Sequence, residues 1–152
     1  MNLNGKLVMK EILDLIINDM KSLFLFLCII ISTGVYSQKL YDSNGREIAK
    51  VVNGKFYDRY GTPLGKLIGQ YVYDRSGFKV GKLNNEIFYN RSSNREAIFR
   101  DNTLYDSHYK KILKLNDGIV YDVSGRRLIK YTKEVSHNEV IVYIIYLNPD
   151  GW

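Results

Sequence analysis

The residues of this sequence best suited to binding chemistry are tyrosines and lysines that recur at a constant spacing. Aromatic rings and ammonium groups side by side suit acidic sugars, because rings stack and cations attract anions. If both columns face solvent, they form a surface for an acidic glycan or peptidoglycan; the alternative is that Tyr only packs the repeat. The columns are Tyr41, Tyr57, Tyr73, Tyr89, Tyr105 and Tyr121, 16 residues apart, and Lys50, Lys66, Lys82, Lys114 and Lys130, each nine residues after a Tyr.

A second column follows each Tyr and is typical of turns. Asp stands next in five copies and Asn90 in the fourth, and Gly stands four residues after Tyr except at Ser93 and Tyr109. Asp accepts hydrogen bonds from nearby backbone N–H groups and Gly adopts positive φ, so the pattern predicts a turn in each repeat. Calcium needs 6–8 oxygens, and one carboxylate per repeat does not supply them. The turn residues are Asp42, Asp58, Asp74, Asp106 and Asp122, with Gly45, Gly61, Gly77 and Gly125.

Residues for catalysis are few. His108 and His137 stand far from metal-ligand spacing, and the sequence has no zinc, phosphate-loop or nucleophile motif, so we predict no metal site and no cofactor. Glu86 and Glu96 form an acid pair for glycan hydrolysis only if the fold brings them together. Asn90 begins a three-residue glycosylation match of the kind that arises by chance.

The elements that position these residues are short hairpins. The turn predicts pairing of the apolar residue before Tyr with the apolar residue seven after Tyr, except where Phe88 faces Glu96. Further turns are predicted at Asn53-Gly54, Asn84-Asn85, Asp101-Asn102 and Asp117-Gly118. The predicted pairs are Leu40/Ile48, Phe56/Leu64, Val72/Val80, Leu104/Ile112 and Val120/Leu128.

On the other face, each Tyr is predicted to lie near the small residue eight places on, such as Ala49 or Gly65. Lys then falls on the side of the apolar pairs with its stem along apolar surface, unless a bulge shifts it. Six repeats of two strands make about a dozen strands, whose edges must be hidden. We therefore predict an all-β fold: a closed or radial antiparallel meander of about six 16-residue hairpin repeats, preceded by a helical signal segment.

The overall charge permits anionic partners. The chain has 152 residues, which suggests one domain, and a net charge of +6 with a pI near 9.3. The positive charges never form a run of five, so a nucleic-acid-binding tail is absent and nucleic acid is not the expected partner.

The N-terminal region is typical of an export signal. Lys21 precedes the apolar run 23–31, and Val35 and Ser37 are placed for cleavage before Gln38. The run is too short to span a bilayer, so no membrane span is expected after cleavage. Residues 20–37 are predicted to be the signal, with Cys28 unlipidated, and residues 1–19 either a leader or an extension upstream of the true start. The protein is expected in the periplasm or outside the cell.

The C-terminal region departs from the repeat. Eight apolar residues, 140–147, precede Asn148-Pro149-Asp150-Gly151. We predict a six-repeat β domain over residues 38–134, and a closing strand and C-terminal tail over residues 135–152 that seal an edge of the sheet.

The stretch "LYDSNGREIAKVVNGKFYDRYGTPLGKLIGQYVYDRSGFKVGKL" resembles the repeats of 4-fold beta flower proteins, which are small exported bacterial proteins. The resemblance covers roughly residues 39–131 and implies short strands around a four-fold axis, with four petals of three strands as one division. It implies no activity and no catalytic residues. The "YDxxGR" stretches at Tyr41 and Tyr121 are also similar to the Tyr-Asp repeats of large toxin shells.

These observations favour an exported binding or scaffold module that acts non-enzymatically at the envelope or outside it, and they leave enzyme activity undecided. Its expected partner is an acidic glycan, peptidoglycan or an envelope protein. One alternative is a small glycan-acting hydrolase with paired carboxylates. The other is a toxin-associated or inhibitor protein.

Overall fold

A computed structural model describes residues 10, 13–21 and 38–148 of the chain. Residues 13–21 form a helix, α1, whose apolar side chains such as Leu15 are exposed. The chain divides into two units, Met1–Tyr36 and Ser37–Trp152, and α1 belongs to the first. The predicted signal run, its cleavage site and the last four residues lie outside the described residues. No described helix has both the length and the apolar character needed to cross a membrane.

The second unit contains twelve antiparallel strands in sequence order, and β1 pairs with β12 to close the sheet into a barrel. The fold class predicted from the sequence is therefore confirmed in its closed form. The strands are β1 Gln38–Asp42, β2 Glu47–Val52, β3 Lys55–Asp58, β4 Pro63–Ile68, β5 Tyr71–Asp74, β6 Lys79–Asn84, β7 Ile87–Asn90, β8 Arg95–Arg100, β9 Thr103–Asp106, β10 Lys111–Asn116, β11 Ile119–Asp122 and β12 Arg127–Tyr131.

The turns that follow the Tyr-Asp pairs all use the same hydrogen bonds. In the first, Asp42 Oδ1 accepts the backbone N–H groups of Asn44 and Arg46 at 2.9 Å each, and Gly45 N–H donates to the Asp42 carbonyl at 3.0 Å. Asn90 does the same in the fourth repeat, where its Oδ1 accepts the N–H groups of Ser92 and Asn94. The residue four after Tyr has positive φ in all six turns, including Ser93 and Tyr109, both at 64°.

Ser93→Gly is expected to stabilise the barrel by about 0.5–1 kcal/mol, because Gly relieves the left-handed conformation that L-residues resist. The gain is partial, since Gly also adds entropy to the unfolded chain. Urea unfolding measures it. The matched control is Ser92→Gly in the same turn, where φ is not positive and only the entropic cost applies. Equal destabilisation by both substitutions would contradict the argument.

The turns at the other end of the barrel are two-residue turns. Asn53-Gly54, Asp101-Asn102 and Asp117-Gly118 have positive φ at both residues, as type I′ turns require. Two differ from the sequence prediction: the turn after β6 is formed by Asn85-Glu86 and not by Asn84-Asn85, and Gly69-Gln70 forms a turn that was not predicted. Glu86 is tolerated there because only Asn85 needs the left-handed conformation in that turn.

The predicted apolar pairs are wrong by one residue. Leu40 pairs with Ala49 instead of Ile48, and the register shifts between Leu40 and Tyr41, so that Tyr41 pairs with Glu47. A bulge of this kind places two residues of one strand opposite one of the other. The same shift occurs in every such hairpin, and Phe88 pairs with Ala97 instead of facing Glu96.

The bulge puts the small residues inside the barrel. Each is the partner of a buried apolar residue, as in Phe56 with Gly65 and Val72 with Gly81, so the prediction that Tyr covers them is wrong. Beside the small residues the barrel leaves room that side chains of the wall do not fill. Barrels of more than eight strands generally enclose such space.

Residues 137–147 fill this space as a helix, which corrects the prediction of a closing strand. An α-helix, α2 (His137–Val142), continues into a π-helical turn, Tyr143–Leu147. We call residues 137–147 the plug. Its side chains from Val140 to Ile144 and Leu147 are buried in one cluster with the inner faces of the strands. The closing of the sheet is instead performed by β1 and β12, where Thr132 N–H also donates to the Lys39 carbonyl at 3.1 Å.

The plug is helical for local reasons. Ser136 caps the first turn, accepting from Glu139 N–H at 3.2 Å, while Glu139 Oε2 accepts the Ser136 N–H at 2.9 Å. This reciprocal capping box is a strong helix start. Eleven helical residues rise about 16 Å, comparable to the roughly 20 Å of a six-residue strand. All twelve strands, the plug and their common core lie between Gln38 and Leu147, within the compact unit Ser37–Trp152.

Candidate functional site

The repeat tyrosines and lysines lie together on the outer wall of the barrel. Lys50 pairs across β2 and β3 with Tyr57 of the next repeat. Lys66 likewise pairs with Tyr73, Lys82 with Tyr89 and Lys114 with Tyr121. We call these eleven residues the Tyr–Lys belt: Tyr41, Tyr57, Tyr73, Tyr89, Tyr105, Tyr121, Lys50, Lys66, Lys82, Lys114 and Lys130.

The belt runs around the whole barrel. Lys130 of the last repeat pairs with Tyr41 of the first, because β12 pairs with β1. The fourth repeat has Ile98 opposite Tyr105, which leaves one gap in the cations. The bulge explains why Lys faces outward with Tyr: it reverses the alternation after the turn. Lys therefore does not share a face with the apolar pairs, and the alternative that the sequence left open, a bulge that shifts Lys, is confirmed.

Several lysines of the wall lie over tyrosine rings. The Lys50 Nζ is 5.9 Å from the centroid of Tyr57, and the Lys66 Nζ is 5.6 Å from that of Tyr73. Tyr71, which stands two residues before Tyr73, has Lys82 at 6.0 Å and Lys79 at 5.4 Å. Cations at this range are attracted to the ring face. The belt rings are half-buried, so each offers an edge and part of a face to solvent.

The outer wall is more basic than the chain as a whole. The cross-strand pairs place five residues of each repeat on this face. Counted along the sequence, they are the repeat Tyr itself, the residue two positions before it, and the residues six, nine and eleven positions after it. Among these, Glu47 is the acid, and the cations are Lys39, Lys50, Lys55, Lys66, Lys79, Lys82, Arg95, Arg100, Lys111, Lys114, Arg127 and Lys130.

The sequence prediction missed the cations six residues after Tyr. These cations pair with the Tyr of their own repeat across the strand that follows it, whereas the belt lysine pairs with the same Tyr from the strand that precedes it. They are Lys79, Arg95, Lys111 and Arg127. Each of these four tyrosines is therefore flanked by a cation on at least one side. The basic residues at this position can be seen when the repeats are aligned, but the side of the sheet that they face depends on the bulge.

Some of these charges oppose each other. Lys55 lies directly across from Lys66, and Lys39 lies across from Lys50. Like charges in cross-strand pairs are destabilising. Lys39 is relieved by Glu47, whose Oε2 is 2.7 Å from its Nζ, and among the described residues this is the one ion pair that a wall cation makes. The wall therefore keeps like charges in cross-strand pairs, an arrangement that folding alone disfavours.

The Asp column serves the turns. A hydrogen bond from the backbone N–H of Lys110 holds the pKa of Asp106 below its usual value. A hydrogen bond from the Ser124 hydroxyl lowers the pKa of Asp122, and one from the backbone N–H of Arg46 lowers the pKa of Asp42. These carboxylates face backbone N–H groups. Among the described residues, no cluster of His, Cys, Asp and Glu is suited to hold a metal ion.

A cavity of about 570 Å³ opens at the end of the barrel that carries these turns. It is lined by Asp42, Asp58, Ile48, Leu128 and Tyr143, among others. Burial raises the pKa of Asp58, but N–H bonds from Thr62 and Tyr60 outweigh it and leave the pKa lowered. A hydrolytic acid needs a raised pKa, so neither Asp is suited to donate a proton.

The remaining chemical candidates are separated. Glu86 lies in a two-residue turn at one end, whereas Glu96 lies on β8 beside the turn at the opposite end, so the acid pair does not form. His108 is exposed in its turn, with Nδ1 3.2 Å from Ser107 Oγ. His137 begins α2 and makes edge contacts with Phe99 and Tyr131.

Glu96 occupies the position that is apolar in the other repeats, at the rim of the barrel. Burial raises its pKa, and its charge is a secondary cause, after burial, of the raised pKa of Tyr146 in the plug. The folded protein therefore holds a proton on Glu96 at pH values where the unfolded chain has lost it. The contribution of Glu96 to the free energy of unfolding is fully present below the pKa that Glu96 has in the unfolded chain. It is lost as pH rises through the higher pKa that Glu96 has in the folded protein.

Glu96→Gln is expected to raise the free energy of unfolding at pH 7 by about 0.5 kcal/mol, and to leave it unchanged near pH 4. The gain is small because Glu96 keeps part of its hydration. Urea midpoints at the two pH values measure the difference. Glu86→Gln, at the opposite end of the barrel, is the control and should show no such gain. A benefit of Glu96→Gln that is equal at both pH values would contradict this explanation.

Comparison with known proteins identifies the family. The family model described as 5-fold beta-flower protein matches residues 37–148, which confirms the beta-flower resemblance and names the 5-fold instead of the 4-fold family. The repeat motif itself does not encode how many copies surround the axis, and here twelve strands form six two-strand repeats instead of four petals of three. No curated protein matches the chain. No solved structure matches it either. The match covers the whole barrel and its plug, and the chain belongs to the 5-fold beta-flower protein family.

Proposed function

We propose that this protein is a non-enzymatic binding module that holds an acidic glycan against the outer wall of its barrel. The observation that carries the proposal is the cross-strand pairing of each belt Lys with a Tyr of the next repeat. An anionic sugar residue can place its carboxylate on the ammonium and its ring on the tyrosine. The repeat then offers the same contact many times to a polymer, whose linked residues bind with avidity.

The charge of the wall supports a polyanion over a neutral sugar. Twelve cations stand against Glu47 on this face, and two cross-strand pairs join like charges. An acidic polymer relieves this repulsion by lying between the lysines. Binding of this kind weakens as salt rises, because the contacts are exposed to solvent.

The experiment compares residues 37–152 with a variant carrying Lys50→Gln, Lys66→Gln and Lys82→Gln. Calorimetry with polygalacturonate is expected to show binding by the parent, with affinity at least about tenfold lower in the variant, since three charge contacts at half-buried lysines together exceed roughly 1.4 kcal/mol. Neutral dextran is not expected to bind either protein.

The matched control removes the same charge elsewhere: Arg75→Gln, Arg91→Gln and Lys110→Gln, all exposed in turns. This variant is expected to keep most of the affinity. An equal loss in both variants would show that only net charge matters, and no binding by the parent would reject the proposal. Far-UV circular dichroism and urea midpoints verify that all three proteins are folded.

We also propose that the barrel is exported, to the periplasm or beyond the cell. The support is the sequence signal: Lys21, the apolar run 23–31, and Val35 and Ser37 before the cleavage point. β1 begins at Gln38, the first residue after that point. Mass spectrometry of protein expressed in a bacterium is expected to give Gln38 as the mature N-terminus. Retention of residues 20–37 in a cytoplasmic fraction would reject export.

A further inference from the structure

The two ends of the barrel differ in charge and in exposed apolar surface. We call the six turns that follow the Tyr-Asp pairs the crown: residues 43–46, 59–62, 75–78, 91–94, 107–110 and 123–126. The strands alternate in direction, so these turns lie at one end, and their equal length places them at one level. The two-residue turns lie at the other end.

Every crown turn carries one cation within these ranges: Arg46, Arg59, Arg75, Arg91, Lys110 and Arg126. The cations are more exposed to solvent than the carboxylates of the turns. Arg46 and Arg126 have side chains 68% and 76% exposed, whereas their partners Asp42 and Asp122 are 20% and 18% exposed. A surface that approaches the crown meets guanidinium groups first.

The crown also exposes large apolar side chains. Tyr60 is 76% exposed, Phe78 and Tyr109 are 61% exposed, and Val123 is 64% exposed. Arg59 lies over the ring of Tyr60 with its Cζ 4.6 Å from the centroid. Single exposed hydrophobic residues need no explanation, but four on one end, each on a turn with a cation, form a patch suited to an interface.

The turns at the opposite end carry the other sign of charge. The five two-residue turns hold Glu86, Asp101 and Asp117 and no Lys or Arg, although Lys55 and Arg100 stand on the strands beside them. At the crown the six cations lie outside half-buried Asp side chains. A negatively charged plane therefore attracts the crown more strongly than the far end, which favours one orientation.

We propose that the crown docks on an anionic lipid bilayer. Tyr60, Phe78 and Tyr109 enter the headgroup region, where aromatic rings are favoured, and the arginines contact lipid phosphates. Short turns carrying rings and cations at one level fit a flat surface with negative charge better than they fit a groove. Docked by its end, the barrel keeps its wall, with the Tyr–Lys belt, free for a polymer.

Vesicle sedimentation with residues 37–152 tests the proposal. Vesicles of phosphatidylcholine mixed equally with phosphatidylglycerol are expected to bind the protein, and vesicles of phosphatidylcholine alone are not. Phe78→Ser and Arg75→Gln are each expected to weaken partitioning about fivefold, as removal of one interfacial contact predicts. Both side chains are exposed, so both variants should fold, and circular dichroism verifies it.

The matched controls remove the same kinds of side chain at the far end. Ile68→Ser deletes an apolar side chain that is 55% exposed, and Arg100→Gln deletes an exposed cation; both are expected to bind vesicles as the parent does. Equal loss in the controls, or equal binding to neutral vesicles, would overturn docking by the crown. If the parent protein sediments without vesicles and Arg75→Gln abolishes that sedimentation, the crown binds another copy of the chain head to tail, and docking on lipid is overturned. Glycan binding that Phe78→Ser weakens as much as vesicle binding would assign the crown to the polymer instead.

Discussion

Replacing Ile141 with Asp is expected to destabilise the barrel severely. Ile141 is fully buried at the middle of the plug, among the inner faces of the strands. A carboxylate there has no cation to pair with among its apolar neighbours, and its burial costs more than about 4 kcal/mol. Because a domain of this size is stable by only about 5–15 kcal/mol, urea unfolding monitored by circular dichroism should show a midpoint lowered by at least about a quarter.

Asn138→Asp is the matched control for this prediction. It introduces the same charge one helical turn earlier, at an exposed position in the first turn of α2, where an acidic residue favours the helix N-terminus. It is expected to leave stability within about 0.5 kcal/mol of the parent. A folded Ile141→Asp barrel with normal stability would mean that the plug does not contribute to the core.

Gly81→Ala is expected to destabilise the barrel by about 3 kcal/mol, because the plug leaves no space for a methyl group there. A Cβ at Gly81 would lie 2.5 Å from two ring atoms of Tyr146 and 2.9 Å from its hydroxyl. The neighbours are side-chain atoms of one residue, so a second substitution should relieve the clash. Tyr146→Leu in the Gly81→Ala background is expected to recover part of the loss, with a coupling energy of about 1–3 kcal/mol in a double-mutant cycle.

Two controls sharpen the cycle. Tyr146→Phe keeps the ring and removes only the hydroxyl that donates to the Tyr89 carbonyl at 2.8 Å, so it should give little rescue. Gly65→Ala should resist rescue by Leu147→Ala, because a Cβ there would meet the backbone carbonyl of Tyr73 as well as Leu147 Cδ2 at 2.6 Å. Rescue of Gly65→Ala, or additivity at Gly81, would contradict the described packing.

The hairpin architecture was predictable because the chain repeats its turn chemistry. Six turns share one pattern, in which Asp or Asn is followed after two residues by a residue in the left-handed conformation. Asn-Gly, Asp-Asn and Asp-Gly form three of the other turns. These are local signals, and local signals survive in any closed meander. Ser93 and Tyr109 depart from Gly without altering the turn, since the surrounding bonds impose the conformation.

The register was not predictable from apolar patterning. Ile48 and Ala49 both lie on the inner side of β2, one at the rim and one in the core, because the bulge gives the strand an extra residue. A pairing chosen by hydrophobicity selects Ile48. The direction of the lysines depends on the same bulge, so the composition of the candidate surface could be predicted while its face could not.

The plug was misassigned because a run of eight apolar residues fits a buried strand and a buried helix equally well. The deciding signal was Ser136 with Glu139 three residues later, directly before the run. Residues 140–147 of the plug are buried or half-buried along their whole length, which explains why the run is apolar on all sides. Sequence alone does not reveal that the wall has space for a helix.

The constant 16-residue step has a consequence for how such barrels change in evolution. Each duplication or loss of a repeat adds or removes two strands, and so changes the circumference by about 10 Å. The plug must then be resized at the same time, since Gly65 and Gly81 already leave no slack against it. Repeat number in this architecture therefore varies only in whole units, and each new number requires a C-terminal segment of a different thickness.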